Sequence, residues 1–414
     1  METIIKGLNQ FHQYELNSIH YYFLGDLHIN TNTCDYQCDH MTNQFTELVV
    51  KDTNCTDITA FIYKWLNYNF NHQIITNFYI EHAISKDRLT YQYDDYTGTS
   101  YSKQGYMQDT IIMLQDCLMG NCPYNPVIKV HNIDPRNIIV NGKRLSASPF
   151  LLDDIYNRFY AGKTILNKKY NSEDVIPIIR NLSKQLTVFI KLIYFLIGQS
   201  QFLLGIVFLP NYEKLINVFI NKLSIFEPGL VKNDMMNIIN NMLLQSKIRN
   251  NVKVHPIYAQ LSKINGKLAN KIKSFILERN KYNAKILLEP AVFLDTMERN
   301  DFSITYDISI INDWIKQSNT NTDMGDLIVY FDKVLESISN IVNKVVILSA
   351  PYQDAYLLGR LFKYNQDEAI VYAGSNHVDV YSDFFKEIGA TNILTLNSDT
   401  CLHIVSDRVN EIRK

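Results

Sequence analysis

Two short strings far apart in the chain have the same form. Tyr21–Leu24 is followed by Gly25-Asp26-Leu27-His28, and Ile370–Ala373 is followed by Gly374-Ser375-Asn376-His377. Each is an apolar run that reads as a buried strand, closed by a glycine and, three residues later, a histidine. A glycine there lets the backbone turn sharply or approach a neighbour closely. Open α/β sheets carry their sites beyond the carboxyl ends of their strands, so the two ends point to one pocket built from both halves of the chain. Two further runs end in the same fashion. Phe78-Tyr79-Ile80 is followed by Glu81 and His82, and Val127–Val130 by His131. Asp26 and His28, two residues apart on an extended chain, would point the same way.

Carboxylates grouped with imidazoles are the chemistry of a divalent-metal site or of general acid–base catalysis. Neutral imidazole suits Mn, Co or Zn, and a carboxylate can serve as ligand or as base toward a metal-bound water. The expected metal ligands are therefore His28, His377 and Glu81. Asp26 and His131 would complete or orient the site. Arg360, on the helical segment before the second string, would hold a carboxylate, phosphate or oxyanion. Taken singly, each residue has a structural reading as well: a core histidine bonded to backbone, or a charged group in an ion pair. The cluster Glu298-Arg299-Asn300 reads as an ordinary helix end.

The elements that must position these residues follow from the periodicities. Over 1–148, short apolar runs alternate with helical patterns at Asp57–Tyr68 and Gln108–Cys117, the rhythm of a parallel or mixed sheet. Residues 149–322 are mostly helical in pattern, including a basic amphipathic stretch, Ser262–Arg279. From 323 to 414 the strand–helix rhythm returns. Helices are predicted at Asp326–Val342, Asp354–Phe362 and Tyr381–Ile388, and strands at Lys344–Leu348, Ile370–Ala373 and Asn392–Leu396. The expected fold is α/β (α+β): a central mixed, mostly parallel sheet made by the two ends, with a large helical insertion between them.

Composition bounds the function. The chain has 414 residues, of which 46% are hydrophobic and 20% charged, and a net charge of -2. These are globular values, and the length allows two domains or one with an insertion. So small a charge gives no field to gather nucleic acid. The N-terminus lacks the apolar core of a signal peptide. The segment Thr187–Pro210 is long enough to span a bilayer but has a polar Gly-Gln-Ser-Gln centre and Lys191, so a buried helix is expected rather than a membrane span. Of the six cysteines, none forms a Cys-x-x-Cys pair, and reduced thiols in a cytosolic protein are expected. The sequence does not indicate an oligomeric state.

Gly25-Asp26-Leu27-His28 resembles the first Gly-x-x-His motif of the TraB/GumN–TIKI family, and Gly374–His377, with the helix after it and Gly389, resembles the C-terminal motif. This family is grouped with erythromycin esterase and the haem-binding ChaN proteins. Glu81 matches its glutamate after an early strand, and Arg360, with Arg299 in reserve, its arginine before the last motif. The resemblance covers the two ends, about half of the chain. The texture around His131-Asn-Ile-Asp134-Pro-Arg136 is similar to members from giant DNA viruses. Asp26 stands where the esterases carry Glu. The Asp26-x-His28 pair also resembles, less completely, the opening of calcineurin-like metallophosphoesterases, whose Gly-Asp-x-x-Asp is absent.

The resemblance implies a divalent-metal-dependent hydrolase (Mn, Co or Zn) acting on a peptide, amide or ester bond, with a peptide or small-molecule substrate, placed in the host cytoplasm or the virion. Two other classes remain open: a non-enzymatic viral structural or interaction protein that keeps the fold, and a ChaN-like haem binder.

Overall fold

The computed structural model describes residues 2–26, 34, 36–42, 47–51, 54–81, 106–133, 138–140, 143–145, 153–168, 172–211, 214–215, 255–288, 303–320, 323–398 and 400–413. It divides into two compact units, Met1–Arg144 with Arg360–Lys414, and Leu145–Gly359.

The first unit is built on a six-stranded sheet of order β8-β2-β3-β7-β5-β6. Its strands are β2 (Gln10–Leu16), β3 (Ile19–Asp26), β5 (Thr76–Ile80), β6 (Ile128–Asn132), β7 (Glu368–Gly374) and β8 (Thr391–Asn397). β3, β7, β5 and β6 are parallel neighbours, and β2 alone runs against the other five. The expected mixed α/β architecture is thus observed. A second sheet, β9-β1-β4, joins β1 (Thr3–Lys6), β4 (Cys55–Asp57) and β9 (Leu402–Ile404). β2 escaped the sequence reading. It is tied to β3 by a two-residue hairpin in which Asn17 and Ser18 both have positive φ, 52° and 62°, so no glycine announces the turn.

Period-two alternation sends successive side chains of β3 to opposite faces. Tyr22 and Leu24 join Phe78, Ile80, Ile370 and Tyr372 in a core closed by Phe61, Ile62, Trp65 and Leu66 of helix α1 (Ile58–Asn71). Asp57 caps that helix, its carboxylate accepting from Ala60 N–H at 2.7 Å. The predicted helix Gln108–Cys117 is broken at Leu114 into α2 (Tyr106–Met113) and α3 (Gln115–Met119). On the other face Tyr14, Tyr21 and Phe23 meet the ring of Phe385 at 5.6, 4.7 and 5.0 Å.

The second unit is helical: α4 (Asp153–Lys168), α5 (Ser172–Ile206), α6 (Pro256–Leu261), α7 (Gly266–Leu288), α8 (Thr305–Ser318), α9 (Met324–Val345) and most of α10 (Ala350–Leu361). The strand predicted at Lys344–Leu348 does not form. Lys344 lies in α9, and Val346–Leu348 is a single 3-10 turn. The run extends the buried stripe Ile338, Ile341, Val342, Val345, and a short apolar run does not distinguish a strand from a buried helix face.

Val175–Ile206 of α5 is long and apolar enough to cross a membrane, and half of its apolar window is buried inside the protein. Its exposed side carries Arg180, Lys184 and Lys191, while Leu182, Leu186, Leu196 and Leu203 are buried.

The C-terminal part of the first unit ends with helices α11 (Ser375–Glu387) and α12 (Asp407–Arg413).

The expectation of reduced thiols is corrected. All six cysteines are paired, as Cys34–Cys401, Cys38–Cys55 and Cys117–Cys122. The reason is tertiary. β4, which carries Cys55, and β9, which follows Cys401, flank β1 on its two sides, so residues 367 positions apart meet.

Candidate functional site

After β3 the chain moves toward β5, and after β7 it moves to β8 at the opposite edge. The connections from β3 and β7 therefore run in opposite directions and cross, with α1 on one face of the sheet and α11 on the other, and ligands of open α/β sheets bind beyond the strands' carboxyl ends. Asp26 and Gly374 are register partners at those ends.

Glu81 leaves β5 beside them, its backbone N–H donating to Tyr372 O at 3.0 Å. Its Oε2 accepts from Gly374 N–H at 2.7 Å, and its Oε1 lies 3.5 Å from His377 Nε2. Gly374 is the N-cap of α11, and His377 is in the helix's first turn. The carboxylate thus sits at a helix N-terminus, where free N–H groups and the helix dipole favour negative charge. Glu81 and His377 are each only 7% exposed. Asp26 Oδ2 accepts from the Tyr372 hydroxyl at 2.9 Å. Burial, reinforced by Asp26, raises that phenol well above its ordinary range, so it stays a donor.

Gly25 and Gly374 play different parts. Gly25 lies inside β3, where a Cβ would stand 2.8 Å from Gln10 Cβ on the neighbouring strand and 3.3 Å from Ser375 Oγ. Gly374 has φ -60° and ψ 144°, ordinary extended backbone, and offers its N–H to Glu81. Gly25→Ala is expected to push β2 and the start of α11 away from β3, costing about 1–3 kcal/mol. A urea midpoint equal to that of the parent would contradict this packing.

His131 and Arg360 form a second cluster. Arg360 Nη2 lies 2.8 Å from His131 Nδ1, and His131 Nε2 lies 2.7 Å from Asn77 Oδ1. A guanidinium only donates, so Nδ1 accepts and Nε2 carries the proton toward Asn77. The ring is stacked between Tyr79 at 5.0 Å and Tyr364 at 5.2 Å. Burial, then Arg360, Lys129 and Lys363, hold the imidazole down to about 3, so it is neutral.

The expected residues therefore separate into groups. Glu81 and His377 are together, Asp26 is on Tyr372, and His131 is with Arg360. His28 and His82 lie outside the described residues, as do Asp134–Arg136 and Glu298–Asn300. Tyr372, Ser375, Asn77 and Tyr364 were not picked out from sequence. Ser375 alone had a signal, standing inside the Gly-x-x-His string.

The donor set partly suits a divalent ion. Two ligands about 2.1 Å from one tetrahedral ion stand roughly 3.4 Å apart, close to the Glu81–His377 separation of 3.5 Å. The Gly374 N–H would orient the carboxylate from behind, as supporting groups do in metal sites. Among the described residues no third His, Cys, Asp or Glu completes the set. Compared with known families, curated proteins and solved structures, the chain matches none.

Proposed function

We propose that the protein is a hydrolase whose working centre is the Glu81–His377 pair, and that it takes a divalent metal (Mn, Co or Zn). The supporting observation is a buried carboxylate–imidazole pair beyond the carboxyl ends of the parallel neighbours β5 and β7, with the carboxylate held by a helix N-terminus. His377 and Glu81 would hold the ion, with His28 as the third ligand the sequence suggests. When bound, the ion would polarise the scissile carbonyl and acidify a water. Glu81 would serve either as that ligand or, with the ion held by the histidines, as the base that receives the proton, and its fixed contact with Gly374 sets which oxygen faces His377. The substrate is a peptide, amide or ester.

Elemental analysis and melting curves of the purified chain with Mn, Co and Zn test this. Saturation at a hundredfold over Kd should stabilise by about 2.7 kcal/mol. Glu81→Gln keeps an acceptor for Gly374 but removes the charge and the base. It should lower hydrolysis of a peptide, amide and ester panel by about 10²–10⁴-fold. No bound ion together with no thermal gain rejects the metal reading.

Of the two locations, the virion is favoured over the host cytoplasm. Three disulfides would be unusual in a reducing cytosol. The charges on the exposed side of α5 favour a core helix over a membrane span.

A further inference from the structure

The two edges of the six-stranded sheet differ in chemistry. β6 carries the exposed Lys129, a charge that discourages pairing with another chain. β8, at the far edge, reads Thr-Asn-Ile-Leu-Thr-Leu-Asn, with no charge, proline or glycine. Among the described residues it pairs with β2 alone, and Thr391, Asn392, Ile393, Thr395 and Asn397 are exposed. Ser398 N–H donates to Asn9 O at 2.8 Å. Alternate residues of an antiparallel strand bond the same neighbour, so Leu394 and Leu396 turn their backbone groups to β2, and Thr395 and Asn397 turn theirs outward. A β-bulge between Asn392 and Leu394 closes this regular stretch at its other end. Leu394 and Leu396 are only partly buried and form a margin of the core that α1 closes, while Thr395 Oγ1, on the opposite face, lies 3.4 Å from His12 Nδ1.

We propose that β8 pairs with β8 of a second copy of this chain, antiparallel about a two-fold axis through Thr395, so that two sheets join edge to edge. The composition of the strand selects that occupant. A two-fold contact sets one segment against itself reversed, and the uncharged β8 then brings no like charges together. A charged partner strand would find nothing on it to pair with. The axis follows from the backbone. Thr395 is the outward-facing residue with a leucine on each side. Its two copies exchange N–H···O=C bonds as a hydrogen-bonded pair, and opposed threonines are favourable across strands. The same register sets Leu394 against Leu396 of the partner subunit, twice over, so each copy covers the open margin of the other's core. The pairing does not rest on the hydrolase reading, since Glu81 and His377 lie outside β8.

Light scattering on the purified full chain, over a dilution series, tests this. The parent should show twice the mass of one chain when concentrated and dissociate on dilution. Thr395→Lys sets two ammonium groups face to face on the axis, and Ile393→Lys adds a lysine to the exposed edge. Each should weaken association by about tenfold or more. Val405→Lys, which adds the same charge at an exposed residue just after β9 of the other sheet, should associate like the parent. All six native cysteines are paired, so Thr395→Cys introduces a single free thiol. Across the axis its two Cα atoms stand about 5.5 Å apart, within reach of a disulfide. Mild oxidation should therefore give a covalent dimer of Thr395→Cys on a non-reducing gel and none of Val405→Cys. A parent that is monomeric at every concentration, association unchanged in both β8 lysine variants, or no covalent dimer of Thr395→Cys would each overturn the proposal.

Discussion

Glu368→Ala should destabilise the sheet-bearing unit by about 3–5 kcal/mol, the cost of breaking a buried ion pair from one side. Glu368 is the first residue of β7 and is 4% exposed. Its Oε1 lies 2.6 Å from Arg408 Nη2. Its Oε2 accepts from Trp65 Nε1 at 3.1 Å and from Asn69 Nδ2 at 2.7 Å. Arg408, on α12, also donates to Asn69 Oδ1 at 2.7 Å and lies over the Tyr68 ring at 4.6 Å. One carboxylate therefore joins β7, α1 and α12. Its removal takes the acceptor from Trp65 Nε1 and from one N–H of Asn69, and leaves the half-buried guanidinium with only Asn69 Oδ1 and Glu411, the latter at 3.9 Å. Total stability is typically about 5–15 kcal/mol, so this single change consumes a large share. Urea denaturation of the parent, Glu368→Ala and a Glu368→Met/Arg408→Met double variant measures it. The double variant should be markedly more stable than Glu368→Ala, because it removes the stranded charge as well. A urea midpoint for Glu368→Ala within error of the parent would show that the network does not hold these elements together.

Acid should unfold the same unit through two histidines. His131 is held down to about 3, by burial first and then by Arg360, Lys129 and Lys363. His12 is held down to about 4, by burial first and then by Lys386, with Asp383 opposing. His12 Nδ1 is 3.3 Å from Ser382 Oγ and 3.4 Å from Thr395 Oγ1, so the ring joins β2 to α11 and β8. Both folded values lie below the ordinary 6.5 of the unfolded chain. As pH falls below 6.5 the unfolded state binds protons first, so stability is intact above 6.5 and is lost progressively toward 3–4. Each unit of separation is worth about 1.4 kcal/mol. Asp57 and Asp109, raised by burial to about 6, act in the opposite sense over part of this window. The comparison that isolates the imidazole is His131→Gln, which keeps hydrogen-bonding capacity but does not titrate. It should be less stable at pH 7, and its urea midpoint should fall less steeply between pH 6.5 and 4. Parallel slopes for parent and variant would remove His131 as a source of the acid sensitivity.

The sequence by itself determined the parts whose signal is local. Tyr21–Leu24, Phe78–Ile80, Val127–Val130 and Ile370–Ala373 are dense apolar runs between breakers, and each lies wholly or largely within a strand of one sheet. The α/β class follows from their alternation with helical periods. Placing Glu81 and His377 beyond neighbouring strands followed from the same runs, since a polar residue that closes a buried strand must emerge at the sheet's end.

The tertiary structure decided what depends on partners distant in sequence. Which acid meets which base was one such matter. Glu81 reaches His377 because β7 inserts between β3 and β5, while Arg360 is drawn to His131 by the side chain that alternation presents on β6. The fate of Lys344–Leu348 was another. Its apolar run fits a strand or a helix face equally, and the stripe already laid down along α9 settled it. The cysteines were the third. Residues 34 and 401 carry no spacing signal, and only the pairing of β4 and β9 on either side of β1 brings such thiols within bonding reach. Local periodicity is written in neighbouring residues, whereas contact between remote side chains exists only once strand order and register are fixed.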